Sequence, residues 1–127
     1  MPDFDDAKAE AERLGVGSYD RHIFICTGPD CCTTEEGAAS WTALKSAVAE
    51  LNGSGERGRV NRTKVGCLRI CRQGPVGVVY PEGRWYAGLD PAAIARVVTE
   101  DLGHGVPVAD HLIGQNPLAP LGVPPDR

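Results

Sequence analysis

The chain's five cysteines fall in two tight groups, Cys26, Cys31 and Cys32, then Cys67 and Cys71. Ionised sulfur is a soft, negatively charged ligand, so thiols gathered this way point to metal chemistry. Four thiolates, two per iron, hold a [2Fe–2S] cluster. Four thiolates in a tetrahedron also make a structural zinc site. Cys67-Leu-Arg-Ile-Cys71 offers two sulfurs from one loop, and the first group offers Cys26 with either Cys31 or Cys32. The remaining cysteine is expected to be a small buried hydrophobe. Gly66 and Gly74 flank the second loop and are expected to turn the backbone tightly, aiming amide N–H groups at sulfur. Arg69 and Arg72 are placed to offset part of the negative charge of a thiolate-bound cluster.

The spacing excludes other sites. Plant-type ferredoxins need C-x4-C-x2-C and bacterial two-cluster ferredoxins need C-x2-C-x2-C, and neither occurs. Rieske centres need two histidine ligands, and His22, His104 and His111 form no such pattern. A redox C-x-x-C is missing. The vicinal Cys31-Cys32 pair closes only a strained disulfide ring and has no sequence-adjacent Lys or His to lower a thiol pKa, so thiol oxidoreductase chemistry is disfavoured. Zinc knuckles usually take C-x2–4-C, for which Cys67-x3-Cys71 qualifies, so structural zinc stands as a lesser alternative.

These thiols must be held by a framework, and the sequence describes one. Arg21–Cys26 (RHIFIC) reads as a buried strand running into the first cysteine. Thr33 and Glu36 form a capping box, and Trp41, Leu44, Val48 and Leu51 then recur on one helical face until Asn52-Gly53. Gly58–Lys64 is a weaker strand. Val76–Tyr80 and Arg84–Ala87 form a hairpin about Pro81-Glu82-Gly83. Asp90-Pro91 starts a second helix whose apolar face is Ile94, Val97, Val98 and Leu102, with Gly103 closing it. Asp5–Leu14 is a short, peripheral helix ended by Gly15 and Gly17, and the Pro-rich residues 114–127 read as an extended tail. The pattern is α/β: a mixed four-stranded sheet with two main helices and the cysteines in surface loops. An acidic extension, 1–20, precedes the domain, 21–113.

At 127 residues the chain suits one domain. It has neither a signal-type start nor an apolar run long enough to cross a bilayer, so it is expected to be soluble and cytoplasmic, a compartment in which disulfides stay reduced. Residues 1–20 hold six acids against Lys8 and Arg13, which accounts for the whole net charge of −4. Arg57–Arg72 holds six bases and no acid. In a net acidic chain without a recognition helix, this stretch suits local compensation of a negative centre better than nucleic acid, and it can also steer an acidic protein partner.

With the framework in place, the sequence resembles the thioredoxin-like [2Fe–2S] ferredoxins, bacterial proteins of Shethna type related to the small iron–sulfur subunit of NADH:quinone oxidoreductase. The resembling residues are His22–Cys26, Gly66–Cys71, Gln73-Gly74-Pro75, the hairpin from Val78 to Tyr86, and a second helix ending near Gly105. They cover roughly residues 20 to 113. The resemblance implies a thioredoxin-like fold, one [2Fe–2S] cluster per chain on four cysteines, and a homodimer. It implies a one-electron carrier serving a redox partner protein, with no substrate chemistry of its own. The alternative is a cluster-bearing module of a larger dehydrogenase or hydrogenase complex. Trp41 and Leu44 resemble the aromatic and apolar residues nine and twelve places after the family's second ligand, which selects Cys32 and the set Cys26, Cys32, Cys67 and Cys71. Cys31 is the alternative to Cys32, because Cys26-x4-Cys31 resembles the spacing in the dehydrogenase subunit. Trp85 and Tyr86 are expected to be core or dimer contacts.

Overall fold

The computed structural model describes residues 3–53 and 59–118, and one of the inner strands of its sheet is β1 (Tyr19–Cys26). β2 (Arg59–Val65) runs parallel to β1 on one side and β3 (Val76–Tyr80) antiparallel on the other. β4 (Arg84–Tyr86) pairs antiparallel with β3, and β5 (Leu112–Gln115) with β4, giving the order β2-β1-β3-β4-β5. The sheet is mixed, as expected, and has one strand more than the expected four. β5 and the residues after it lie beside the hairpin: Asn116 N–H donates to Gly83 O at 2.8 Å and Leu118 N–H to Pro81 O at 3.1 Å. The rest of the expected tail, 119–127, lies outside the described residues, as does Gly58.

Two helices cover one face. α2 (Thr34–Gly53) and α3 (Pro91–Arg96), which runs on into a π-helical segment Val97–Leu102, meet the sheet in a single core. Alternation along the strands sends Ile23, Ile25, Val60, Val79 and Tyr86 to this face, where they pack with Leu44, Val48, Ile94, Val97, Val98 and Leu102. Each buried aliphatic chain of this kind is worth about 1.5–3 kcal/mol. The sequence signals for both helix starts hold. Glu36 N–H donates to Thr33 Oγ1 at 3.0 Å while Thr33 N–H donates to Glu36 Oε1 at 2.8 Å. Asp90 accepts from Ala93 N–H at 2.9 Å, with Pro91 next in the chain. Gly103 keeps right-handed helical angles, and Gly105, at φ 71°, makes the turn out. α1 (Asp5–Leu14) ends at left-handed Gly15 and buries none of its residues.

The core contains one carboxylate that periodicity does not announce. Asp101 is fully buried and accepts from the Tyr86 hydroxyl at 2.5 Å and from Arg84 Nη1 at 2.8 Å. The same Tyr86 oxygen accepts from Val108 N–H at 3.2 Å. Burial holds the Asp101 carboxyl above its ordinary range, although the Tyr86 hydroxyl and Arg84 pull the other way. Tyr86 is thus a core residue, and its polar end joins the hairpin to the second helix.

The opposite sheet face presents rings. His22 and Phe24 stack at 4.3 Å between centroids, and Tyr80 meets Phe24 edge-on at 6.2 Å.

Candidate metal centre

β1 delivers Cys26 at its last residue, and the capping box that starts α2 fixes Cys32 just before it. Cys26, Cys31 and Cys32 form a buried cluster on which Val65 and Leu68 pack. The Cys31 thiol donates to Cys26 O at 3.2 Å. Cys32 Sγ lies against the first turn of α2, where a Cβ on Gly37 would stand 3.3 Å from it.

β2 delivers the second loop. The sulfurs of Cys67 and Cys71 lie 4.0 Å apart. Two thiolates on one tetrahedral metal, with metal–sulfur bonds of about 2.3 Å, come about 3.8 Å apart, so this pair needs little movement to share an iron. Arg69 N–H donates to Cys67 Sγ at 3.2 Å, the amide-to-sulfur contact expected of this loop. Its origin differs from the expectation. The backbone reverses at Arg69 (φ 72°), Cys71 (φ 55°) and Gln73 (φ 50°), not at Gly66 or Gly74. Left-handed angles at residues other than glycine are uncommon and gather where function over-determines the backbone. Alternating backbone handedness of this kind is what turns successive N–H groups towards an anion. The side chains of Arg69 and Arg72 are exposed.

The glycines serve close approach instead. Gly74 N–H donates to Cys31 O at 2.9 Å, and a Cβ there would come within 2.5 Å of Cys31 Sγ. A Cβ on Gly28 would stand 1.9 Å from Gly66 O. Thr27 N–H donates to Val65 O at 3.3 Å, and Cys26 Sγ sits 3.8 Å from Gly66 O. The two cysteine loops, far apart in the chain, are therefore stitched side by side. All five cysteines are free: the first three are buried, Cys67 is exposed and Cys71 is half-buried. Among the described residues, no three His, Cys, Asp or Glu side chains close around a single-ion position.

Burial, and then the hydrogen bond with Cys26, push the Cys31 thiol up to about 12. Burial also raises Cys32. Cys71 is raised by its hydrogen bond with Cys67, then by burial, with the charges of Asp30 and Cys26 adding to the effect. Thiols held protonated in this way must give up protons as metal enters. Three features of the site carry no sequence signal: the left-handed residues, the Gly28–Gly66 approach and the nearness of Asp30 to Cys71.

Among the described residues, no helix is long and apolar enough to cross a membrane. No protein-family model matches the chain. A putative 2Fe-2S ferredoxin of Priestia megaterium is 35% identical over 92 residues, covering 72% of this chain and 68% of the relative. A 2Fe-2S ferredoxin of Clostridium pasteurianum is 31% identical over 88 residues, covering 66% of this chain and 86% of the relative. Among solved structures, a thioredoxin-like [2Fe-2S] ferredoxin from Aquifex aeolicus matches with a TM-score of 0.67 at 26% identity, over 84% of this chain and 99% of its own.

Proposed function

The chain belongs to the thioredoxin-like [2Fe–2S] ferredoxins, and on that premise we propose that Cys26, Cys32, Cys67 and Cys71 hold its one cluster, with Cys31 the alternative to Cys32. Proteins of this family are electron carriers, without substrate chemistry of their own. The observation that carries the ligand assignment is the 4.0 Å separation of the Cys67 and Cys71 sulfurs, on a loop stitched to the one bearing Cys26, Cys31 and Cys32. A [2Fe–2S] cluster supplies the uptake and release of one electron.

The surrounding residues have separate tasks in this reading. Val65 and Leu68 cover the buried thiols and keep water from them. The Arg69 amide draws electron density from the Cys67 sulfur, which favours the reduced state. Cys67 is exposed, so the end of the site formed by Cys67 and Cys71 reaches the protein surface, where an electron can leave. The protein works in a reducing compartment such as the cytoplasm, where free thiols persist. It pairs with a second copy through the sheet face opposite the helical core, where His22, Phe24 and Tyr80 gather and the strand register places Trp85.

Anaerobic reductive titration tests the carrier reading. One electron per chain, with bleaching of the visible bands, is expected. Uptake of two electrons by a colourless protein, as in disulfide reduction, would overturn it. Sedimentation tests the pairing: Phe24→Lys should shift a dimer to monomer, and a wild-type monomer would refute it.

A further inference from the structure

Trp41 is ringed by three cations. The Arg62 guanidinium carbon lies 5.2 Å from its ring centroid, Lys64 Nζ 5.6 Å and Lys45 Nζ 5.9 Å. The indole attracts each of them, but three like charges around one ring repel one another. On an ordinary surface, interleaved carboxylates relieve such repulsion. None of the ion pairs among the described residues uses Lys45, Arg62 or Lys64. The set comes from α2 (Trp41, Lys45) and from alternate residues of β2 (Arg62, Lys64), so the fold itself brings the charges together.

Beside the ring opens a cleft of about 230 Å³ lined by Thr27, Thr34, Gly37, Trp41, Thr42 and Lys64. Its walls offer three hydroxyls, an ammonium and an indole face. Two of the lining residues border the candidate metal centre: Thr27 follows Cys26, and a Cβ on Gly37 would touch Cys32 Sγ at 3.3 Å. An anionic group seated there stands next to the buried cysteines, with only Thr27 and the first turn of α2 between.

We propose that this basic cleft around Trp41 receives a carboxylate-rich segment of the redox partner protein. The inference rests on the carrier reading above and adds to it where the partner docks and with what chemistry. A protein partner fits better than nucleic acid. The three cations that face Trp41 lie within one ring's width, whereas nucleic acid is bound along a track of phosphates. The acidic segment 1–20, which carries the whole net charge of −4, also repels a long polyanion more than a short acidic segment seated at one patch.

The probe is a blocked oligoglutamate peptide, titrated calorimetrically into the cluster-loaded protein at low salt. Saturable binding that fades as salt rises is expected, weakened about tenfold in the triple variant Lys45→Gln, Arg62→Gln, Lys64→Gln. Trp41→Leu should weaken it as well, whereas the distant pair Lys8→Gln, Arg96→Gln should leave it unchanged. Equal binding by the triple variant would overturn the proposal, and so would equal weakening by the distant pair. Oligothymidylate binding more tightly than the peptide at the same residues would overturn it in favour of nucleic acid. Visible spectra of every variant separate the two readings. An intact cluster with no peptide binding sinks only the docking site, whereas a wild-type chain without a cluster sinks the carrier reading.

Discussion

Gly74 donates its backbone N–H to the carbonyl oxygen of Cys31 at 2.9 Å, joining the two cysteine loops. No side chain fits at residue 74, because a Cβ would stand 2.5 Å from Cys31 Sγ and 2.4 Å from Cys31 O. Gly74→Ala must therefore push the loops apart. The lifetime of the visible absorption in air should fall several-fold, with little change in far-ultraviolet circular dichroism. Gly28→Ala, which aims a Cβ at Gly66 O, should act in the same direction. An unchanged lifetime in both variants would separate loop contact from cluster retention.

The choice between Cys32 and Cys31 is decided by deletion of each. Cys32→Ala should abolish most of the visible absorption and lower iron content, while Cys31→Ala should keep both. The reverse pattern would make Cys31 the ligand.

Asp101 gathers a hydroxyl and a guanidinium in the core. Asp101→Leu leaves Arg84 without its carboxylate partner and should cost about 3 kcal/mol in chemical unfolding. Tyr86→Phe leaves Val108 N–H and one carboxylate oxygen short of a partner and should cost about 2 kcal/mol. Neither change touches a cysteine, so the absorption maxima of folded protein should stay fixed.

Arg21 donates to Glu82 Oε2 at 2.8 Å and links β1 to the hairpin turn. Burial alone would raise the Glu82 carboxyl, but the Arg21 guanidinium outweighs it and holds the group below 4.5. The fold thus favours the charged form. The pair's stabilisation, about 1 kcal/mol at this partly exposed site, is complete above the ordinary carboxylate pKa and lost as pH falls through the lowered one. Wild type should melt higher than Glu82→Gln at neutral pH, and the gap should close as the pH falls through the lowered Glu82 pKa. A constant gap would remove the charge from the explanation.

Local chemistry in the sequence was enough to locate much of this molecule. The bounds of Asp5–Leu14 and Val76–Tyr80 match the structure, and both helix caps form, because each depends on residues within one turn or strand. β5 escaped notice: only Leu112 of its four residues is half-buried, and its existence depends on pairing with Tyr86 far back in the chain. Asp101 sits in an apolar helical stretch and reads as a solvated charge until Arg84 and Tyr86 are brought over it. At the site, cysteine spacing marked the two loops. The left-handed turns at Arg69, Cys71 and Gln73 fall on residue types that carry no backbone signal. The charge of Arg57–Arg72 is plain in the sequence, but the convergence of Arg62 and Lys64 with Lys45 on Trp41 depends on the packing of β2 against α2.

Iron and acid-labile sulfide per chain, measured in protein purified without oxygen, decide whether the two cysteine loops hold a [2Fe–2S] cluster. About two of each are expected, with visible bands that bleach on reduction. Stoichiometric zinc, or a metal-free chain that cannot be loaded with iron and sulfide, would contradict the cluster assignment.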